Sequence, residues 1–404
     1  MKDSGIEWIG EIPEGWEVVQ LKRFAEVHNG REIDVEVDST DSSAVGVYGS
    51  GGVFKYTNRS QYSGKAVLFG RKGTLGKPLY VEGQLWAVDT MYFLTYSNRL
   101  LEKFSYYQFL AFNWAPYITH TAIPSVVASE IVACYFPIPP LEEQAKIADY
   151  LDNGCASLDT ILDKTRSSIE EYKELKQAVI TQVVTKGVRG EQEMKDSGVE
   201  WIGEIPKEWV CEKIKYATSI SRGLFNHRPR NDERYYNGKY PFIQTGDVAN
   251  ATKYIVSYSQ TLNELGKSVS KEFPKGTLTM TIAANVGDVA ILNFDAYFPD
   301  SIVGFIPNKN IRTLYLFYVF SAMKDEFTRT AIKSTQFNLN IDRVKETFIP
   351  VTLNVNEQCE IENYLESKCA EIDGLIAKKE QLVKELESYK KSLIYEVVTG
   401  KREV

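Results

Sequence analysis

The chain has 404 residues, of which 43% are hydrophobic and 25% are charged. Its length predicts two or three domains. Its apolar content is enough for at least two hydrophobic cores, which excludes collagen-like, disordered and disulfide-scaffold proteins. The formal net charge of −7 excludes a uniformly basic surface, so bulk charge alone does not indicate a nucleic-acid partner.

The first thirteen residues recur almost unchanged in the middle of the chain. Residues 1–13 read MKDSGIEWIGEIP and residues 194–206 read MKDSGVEWIGEIP, so the two openings differ only where Val199 replaces Ile6. The amino terminus has no apolar run of the kind a secretory signal needs, and the five cysteines form no C-x-x-C pair. We therefore expect a reduced, cytoplasmic protein.

The segments after the two openings differ in length and sequence, but both are rich in glycine, aromatic and β-branched residues. Such runs, broken by glycine turns, predict short strands. The predicted strand regions are 45–56, 65–76 and 85–96 in the first segment, and 240–248, 276–292 and 300–307 in the second. A short helix is expected after them, near residues 103–113 and 313–326. Each variable segment is thus predicted to be an α+β or mostly β domain.

A second repeat is helical. Glu143-Gln144 recurs as Glu357-Gln358, and beyond each pair the apolar residues follow steps of four and three, the heptad pattern of a coiled coil. Each apolar stripe could pack on its own domain, but two near-copies favour an antiparallel pair related by a pseudo-two-fold axis. The residues predicted to pair the helices are Leu158, Leu162, Ile169, Tyr172, Val179, Ile372, Ile376, Val383, Leu386 and Leu393.

The order of the repeats predicts four regions. Residues 1–137 and 194–350 each form a domain of short strands plus helices. Residues 138–193 form a first helical region, a spacer helix with a linker, and residues 351–404 form a second, repeated helical region. Ordinary drift after a duplication would not spare the ends of each copy and rewrite the middles. We therefore interpret the chain as a common frame that presents two different recognition surfaces.

Motifs of the common nucleotide-using and hydrolytic enzymes are absent from the sequence. It has no G-x-x-x-x-G-K-[ST] phosphate loop, no G-x-G-x-x-G that opens a helix, no Asn/Asp-Pro-Pro-aromatic methyltransferase motif, and no H-E-x-x-H or G-x-S-x-G. The sequence therefore predicts that this chain is not an enzyme and has no metal site of its own.

Several runs together resemble the specificity subunits of type I restriction–modification systems, and the resemblance covers nearly the whole chain. In the first half they are W-I-G-E-I-P-x-x-W (8–16), Y-G-S-G-G-V (48–53), G-R-K-G-x-x-G (70–76) and P-P-L-E-E-Q-x-K-I-A-D-Y-L-D (139–152). In the second half they are F-I-Q-T-G-D-V (242–248), N-V-G-D-V-A-I-L (285–292), F-P-D-S-I-V-G-F (298–305) and T-Q-F-N-L-N (335–340).

This resemblance implies that each variable segment is a target recognition domain for one half of a bipartite, asymmetric DNA site. It implies that the long helices form an antiparallel coiled coil that separates and joins the two domains. Two modification subunits would methylate adenine N6 with S-adenosylmethionine. Restriction subunits would add translocation and cleavage that depend on ATP and magnesium, and this chain would carry no catalytic residue or cofactor.

The helix length gives an expected spacing for such a site. The heptad region 157–185 has 29 residues, which span ~43 Å at about 1.5 Å per residue. One turn of DNA is roughly 34 Å long. The two half-sites are therefore expected about one turn apart, with unread base pairs between them.

Candidate DNA contacts follow from side-chain chemistry and motif together. Arg71 and Lys72 lie in a glycine-bracketed loop and are expected to reach phosphate or guanine. The Ser50-Gly51 turn would allow close backbone approach, or is a plain hairpin turn. His227 and Arg228 lie in a basic loop that either contacts DNA or is only solvated. Polar side chains that suit adenine or groove edges are Gln244, Thr245, Gln336, Asn338 and Asn340, with a buried polar network as the alternative for the first two.

Two other functions remain open at this stage. A tandem coiled-coil adaptor that binds only proteins would show no DNA binding even with its partners present. An enzyme with a cryptic site would show turnover as the purified chain.

Overall fold

From the amino terminus, nine short strands precede the first α-helix. In chain order these elements are β1 (Lys2–Asp3), β2 (Glu11–Ile12), β3 (Glu17–Gln20), β4 (Ala25–Asn29), β5 (Val45–Gly49), β6 (Gly52–Thr57), β7 (Tyr62–Gly70), β8 (Leu79–Ala87), β9 (Met91–Tyr96) and α1 (Glu102–Ala111). They are followed by β10 (Ile118–Thr119), β11 (Ser125–Val126), α2 (Ala128–Ala133), β12 (Tyr135–Ile138) and the long helix α3 (Leu141–Lys186).

The second half begins with β13 (Met194–Asp196), β14 (Glu204–Pro206), β15 (Val210–Lys213), α4 (Ile214–Ala217), β16 (Thr218–Arg222), β17 (Tyr236–Phe242), α5 (Thr245–Ala249), β18 (Tyr254–Ile255), β19 (Gln260–Leu262) and α6 (Glu264–Ser268). It continues with β20 (Glu272–Phe273), β21 (Leu278–Thr281), β22 (Val289–Leu292), β23 (Ala296–Tyr297), β24 (Ile302–Pro307), α7 (Thr313–Ala322) and α8 (Lys324–Thr330). The last elements are β25 (Ile332–Lys333), β26 (Phe337–Asn338), α9 (Ile341–Glu346), β27 (Phe348–Val351) and the long helix α10 (Val355–Val398).

The computed structural model describes residues 1–119, 122–283, 286–330, 332–333 and 337–404. It divides into two units. The first comprises Met1–Ser167 with Lys379–Val404, and the second comprises Ser168–Lys378. Each unit therefore contains one part of α3 and one part of α10. In the described ranges, no helix combines the length and the apolarity that crossing a membrane requires.

In the first unit, β4 to β9 form one six-stranded sheet in the order β4-β9-β7-β8-β5-β6. Side chains alternate between the two faces of a strand, and both faces of β7 are buried. Val67 and Phe69 belong to one hydrophobic cluster, and Ala66 and Leu68 to another. Phe69 stacks on Phe109 of α1 with 5.6 Å between ring centroids. The central strand is thus covered on both sides.

In the second unit, two sheets replace the single sheet of the first. One has five strands in the order β16-β24-β21-β22-β18, and the other has four in the order β19-β17-β23-β20. Helix α7 is apolar around most of its circumference and packs on the five-stranded sheet, where Phe305 and Phe320 meet edge to face at 4.9 Å. A helix that is apolar all round is expected to be buried.

Two details of the second variable segment differ from the sequence prediction. The predicted strand 240–248 ends at Phe242, and Thr245–Ala249 is a short helix, because the Asp247 carboxylate accepts a hydrogen bond from the Gln244 backbone N–H at 2.8 Å. The single helix predicted near 313–326 is two helices, α7 and α8, separated at Met323.

The repeated opening folds the same way in both units. It forms a small antiparallel hairpin, β1 with β2 and β13 with β14. The turns contain glycines at positive φ, Gly5 and Gly198 at 69° and 73°, a conformation that glycine adopts without steric cost. A second strand pair, β3 with β12 and β15 with β27, then joins the beginning of each variable segment to its end.

The long helices pair in an antiparallel sense within each unit. In the first unit Lys390 Nζ lies 2.6 Å from Asp159, and Arg166 lies 2.6 Å from Glu387. In the second unit Lys176 Nζ lies 2.7 Å from Asp373. As the residue numbers rise along α3, the numbers of their partners on α10 fall, so the two helices are antiparallel. This confirms the predicted α+β fold with an antiparallel helix pair.

All residues predicted to pair the helices are buried or half-buried. Their individual pairing contacts stay a prediction. The buried members are Leu158, Leu162, Ile169, Ile372 and Leu393, and the half-buried ones are Tyr172, Val179, Ile376, Val383 and Leu386.

The repeated Glu-Gln pair has a structural reason. Gln144 is fully buried, and its amide donates to the carbonyls of Arg99 and Pro139 and accepts from the N–H of Leu101, the residue before α1. Gln358 is also fully buried and repeats this pattern with Asn310, Thr352 and Arg312, the residue before α7. Each glutamine therefore fastens the start of a long helix to the short helix of its own unit.

Candidate nucleic-acid interface

The loop after β7 is held by backbone hydrogen bonds on both sides. The Arg71 N–H donates to the Thr90 carbonyl at 2.8 Å, and the Arg71 carbonyl accepts from Val126 at 3.0 Å. A Cβ at Gly70 would lie 2.3 Å from the Thr74 carbonyl oxygen, so the turn requires glycine there. Arg71 is half-buried with its guanidinium 5.8 Å from the Tyr92 ring, and Lys72 is exposed. The backbone of this loop is therefore held in place by hydrogen bonds, and the loop presents the Lys72 cation to solvent.

Ser50-Gly51 forms the tip of the hairpin between β5 and β6. Val88 donates to the carbonyl of Tyr48 in this hairpin at 3.2 Å, and Thr90 accepts from Arg71. The short connection from Val88 to Thr90 therefore bonds both β5, the strand that leads into the Ser50-Gly51 turn, and the loop that contains Arg71.

Sequence reasoning missed an exposed apolar pair beside this hairpin tip. Val53 and Phe54 lie on β6, which is the edge strand of the sheet, and Phe54 is 56% exposed. The apolar run Val53-Phe54 looked like ordinary strand sequence and gave no signal that its side chains would face solvent at a sheet edge.

His227 is held inside the basic loop of the second variable domain. Its Nε2 lies 2.9 Å from Asp232 Oδ2, and its ring stacks on Tyr235 with centroids 4.0 Å apart. Hydrogen bonds from Arg234 hold the pKa of Asp232 well below its usual range, so this carboxylate stays charged. His227 therefore has a structural partner, and its DNA contact stays a prediction.

Arg228 and Arg230 converge on Asp300. Arg228 lies 3.6 Å from one Asp300 oxygen, and Arg230 pairs with the other. Arg228 also donates to the Phe225 carbonyl at 2.7 Å. Both arginine side chains keep about half of their surface exposed. The basic loop is thus anchored to the turn before β24 while its cations stay accessible.

Gln244 and Thr245 are half-buried at the start of α5. Gln244 Nε2 donates to Gln260 Oε1 at 2.8 Å, and both glutamines line a cavity of about 260 Å³. Gln260 was not predicted. It lies sixteen residues further along the chain, and only the pairing of β17 with β19 brings it close.

The remaining predicted contacts lie near the end of the second variable domain. Gln336 lies outside the described residues, and Asn338 lies in β26 with its side chain outside them. Asn340 is the residue before α9, and its side-chain oxygen accepts from the Asp342 N–H at 2.8 Å. A helix cap of this kind is a sufficient structural role for Asn340.

Metal-ligating side chains are not clustered in the ranges that the structure describes, where no group of three or more His, Cys, Asp and Glu side chains is placed to hold a metal ion. His28 bonds Thr95 and His227 bonds Asp232, while His120 lies outside the described residues. The predicted site residues of the two variable domains are mainly cations, a type that suits phosphate, and amides, a type that suits base edges.

Comparison with known proteins gives the family. Residues 13–171 and 220–385 match the family model described as the type I restriction modification DNA specificity domain. A putative type I restriction enzyme MjaX specificity subunit from Methanocaldococcus jannaschii is 24% identical over 433 aligned residues, covering 97% of this chain and 95% of that protein. The MjaVIII specificity subunit of the same organism is 25% identical and covers 96% of this chain and 93% of that protein.

Solved structures show the same fold. A chain from a study of complex assembly and conformational transition of the type I R-M system superposes with a TM-score of 0.75 at 16% identity, covering 97% of this chain and all of that one. The HsdS subunit from Thermoanaerobacter tengcongensis gives a TM-score of 0.50 at 16% identity, covering 97% and 98%. The chain therefore belongs to the type I restriction–modification specificity subunit family, whose role is to recognise DNA sequence.

Proposed function

We propose that this chain reads a bipartite, asymmetric site in double-stranded DNA and directs partner subunits to it. Each variable domain reads one half-site. Lys72 and Arg228 supply exposed positive charge for phosphates, and the Gln244 amide supplies hydrogen bonds for base edges. Adenine-N6 methylation and restriction are carried out by the partners in the cytoplasm, and this chain contributes binding and orientation.

The observation that carries this proposal is one frame with two different inserts. The glutamine contacts of Gln144 recur at Gln358, and the ion pair of Lys390 with Asp159 recurs as Lys176 with Asp373. The sheets that follow the repeated openings have different strand orders. Equivalent frames suit two copies of one partner, and unlike inserts suit two unlike half-sites.

The partner surface is proposed from residues that recur and stay exposed. Glu7 and Glu11 of the first opening are exposed, as are Glu200 and Glu204 of the second. Their neighbours Trp8 and Trp201 are half-buried. We assign these two patches to two modification subunits, which hold S-adenosylmethionine, and we place ATP and magnesium on restriction subunits.

A methylome tests the proposal. N6-methyladenine is mapped across the host genome with this gene intact and with it deleted. The expected result is one bipartite, asymmetric motif that disappears on deletion. Two results together would contradict the proposal and support the protein-only adaptor. Methylation would be unchanged on deletion, and this chain would capture a methyltransferase subunit in a complex that does not bind DNA.

A binding measurement separates the phosphate contact from the rest. Replacing Lys72 by alanine in the assembled complex is expected to weaken binding to all sequences alike and to lower the slope of log K against log salt by about 1. Lys146→Ala is the matched control, because Lys146 is exposed on α3 and pairs with Glu142 at 2.7 Å. An equal effect of both changes would contradict a direct contact of Lys72 with phosphate.

A further inference from the structure

The second variable domain contains a small cavity with an unusual pair of walls. Its volume is about 260 Å³, and residues that line it include Arg230, Asn231, Tyr236, Phe242, Gln244 and Gln260. Pockets for drug-sized ligands begin at about 300 Å³. This cavity is therefore suited to one planar group, such as the edge of a base, and not to a whole cofactor.

The aromatic wall is fixed by its own packing. Phe225 and Phe242 are 4% and 2% exposed and belong to one hydrophobic cluster. Phe225 also stacks on Tyr236, with 5.7 Å between centroids and an angle of 26° between the rings. Burial raises the pKa of Tyr236, so its hydroxyl stays neutral. This side of the cavity is rigid and apolar.

The polar wall is a pair of amides. Gln244 Nε2 donates to Gln260 Oε1 at 2.8 Å. Two amides that share one hydrogen bond still hold one carbonyl oxygen that accepts and one amide nitrogen that donates. The major-groove edge of adenine offers the complement, because its N6 donates and its N7 accepts, whereas guanine offers two acceptors there.

A single carboxylate holds both glutamines in place. Asp247 accepts from the backbone N–H of Gln244 at 2.8 Å and from the backbone N–H of Ser259 at 3.1 Å, one residue before Gln260. Arg230, which also lines the cavity, forms an ion pair with Asp300. Groups held in this way lose little conformational freedom when they bind a ligand.

We infer that Gln244 and Gln260 together read one adenine of the second half-site, and that Arg230 contacts a phosphate beside it. The inference rests on the proposed function, because it requires this domain to face DNA. It adds the base type, the half-site that contains it and a residue, Gln260, that the sequence did not indicate.

The test is a methylome of the whole complex in a host that lacks the natural gene. Gln260→Glu replaces the donor by a second acceptor, which suits cytosine N4 and not adenine N7. Methylation is expected to fall about tenfold to a hundredfold where adenine stands at one position of the second half-site. Sites with cytosine there are expected to gain methylation, and the first half-site is expected not to change. Gln381→Leu, which alters an exposed glutamine on α10, is expected to keep the wild-type motif.

Two results would overturn the inference while leaving the proposed function intact. One is an unchanged motif with Gln260→Glu, and the other is loss of specificity in both half-sites. Gln244→Glu provides a second, isosteric test that should lose the same adenine if Gln260→Glu proves unstable in a thermal melt. A wild-type complex without a bipartite motif would instead contradict the proposed function itself.

Discussion

The frame of the first unit and the frame of the second are held by the same polar contacts, whereas the sheets they carry have different topologies. Gln144 and Gln358 make matching sets of three hydrogen bonds. The sheet of the first unit has six strands, and that of the second is replaced by sheets of five and four. The comparison indicates that the repeated residues are those that fasten helices, while the unlike residues build the surfaces available for recognition.

The largest effect is expected from the two buried glutamines. Gln144→Leu and Gln358→Leu each remove the partner of one N–H and two carbonyls. One carbonyl contact of each set is buried, that of Pro139 or that of Thr352, and an unsatisfied buried group costs about 1–3 kcal/mol. Each change should therefore destabilise its own unit by about 1–3 kcal/mol. Hydrogen–deuterium exchange should show faster exchange at the start of α1 for the first variant and of α7 for the second. Loss of protection in the other unit would contradict the equivalence of the two contacts.

Substitution of the glycines that follow the two long helices should lower the thermal stability of the two units to different extents. Gly187 and Gly400 have φ of 73° and 71°, and alanine in this region costs roughly 1–2 kcal/mol. A Cβ at Gly400 would also lie 2.3 Å from Pro13 Cδ, whereas one at Gly187 would lie 3.3 Å from the Trp209 ring. Gly400→Ala should therefore lower the thermal midpoint more than Gly187→Ala. Equal midpoints would show that the Pro13 contact relaxes.

The tryptophans of the two openings are a second asymmetry. Trp16 donates from its indole nitrogen to Glu143 at 3.0 Å. The indole nitrogen of Trp209 is buried without a partner among the described residues, and the corresponding Glu357 accepts from Thr352 at 2.6 Å. Trp16→Phe should cost about 1–3 kcal/mol more than Trp209→Phe, because only the first leaves a charged acceptor unpaired. Urea unfolding of both variants measures the difference in the free energy of unfolding. An equal loss in the two variants would contradict a stabilising role of the Trp16–Glu143 hydrogen bond.

Sequence patterns predicted the parts of the fold that depend on local periodicity. The long helices are found where the heptads placed them, and each of the six predicted strand regions contains at least part of a strand. The helix Thr245–Ala249 was missed because its start depends on a hydrogen bond that the Asp247 carboxylate accepts from the Gln244 backbone N–H, within an apolar, strand-like run. The break at Met323 was also missed.

The candidate site was less predictable, because its geometry depends on contacts between distant segments. Arg71 and Lys72 were indicated by their glycine bracket, but their link to the Ser50-Gly51 hairpin runs through Val88 and Thr90. The sequence around Gln260 contains no motif that indicates a site residue. Pairing of strands far apart in sequence, and not residue type, decides which amides meet.

A smaller effect is expected from the helix-pairing ion pairs. Lys390→Met and Lys176→Met each remove one partly exposed pair, and such pairs contribute less than about 1 kcal/mol. The two variants should lose equal stability, and the loss should shrink in high salt. Measuring unfolding at low and high salt checks both points, and a loss confined to one variant would contradict the pseudo-symmetry of the pair.

The smallest effect concerns one carboxylate of the second unit. Hydrogen bonds from Lys213 and Lys215 lower the pKa of Glu346 to about 2 from 4.5. Because the folded pKa is depressed, its stabilising contribution is present above pH 4.5 and is lost as the pH falls towards 2. Glu346→Gln should flatten the dependence of the melting temperature on pH in this window. Glu204→Gln, an exposed glutamate of the opening hairpin, is the control that should leave the dependence unchanged.

The central claim is that one frame presents two interchangeable reading domains. Its most direct test replaces residues 214–347 by a copy of residues 21–134, joined at the equivalent strand pairs Gln20–Tyr135 and Lys213–Phe348. The methylome of a complex with this chimaera is then mapped. The account predicts a symmetric bipartite motif in which the first half-site occurs twice in inverted orientation. A stable, assembled chimaera that keeps the original asymmetric motif would contradict it.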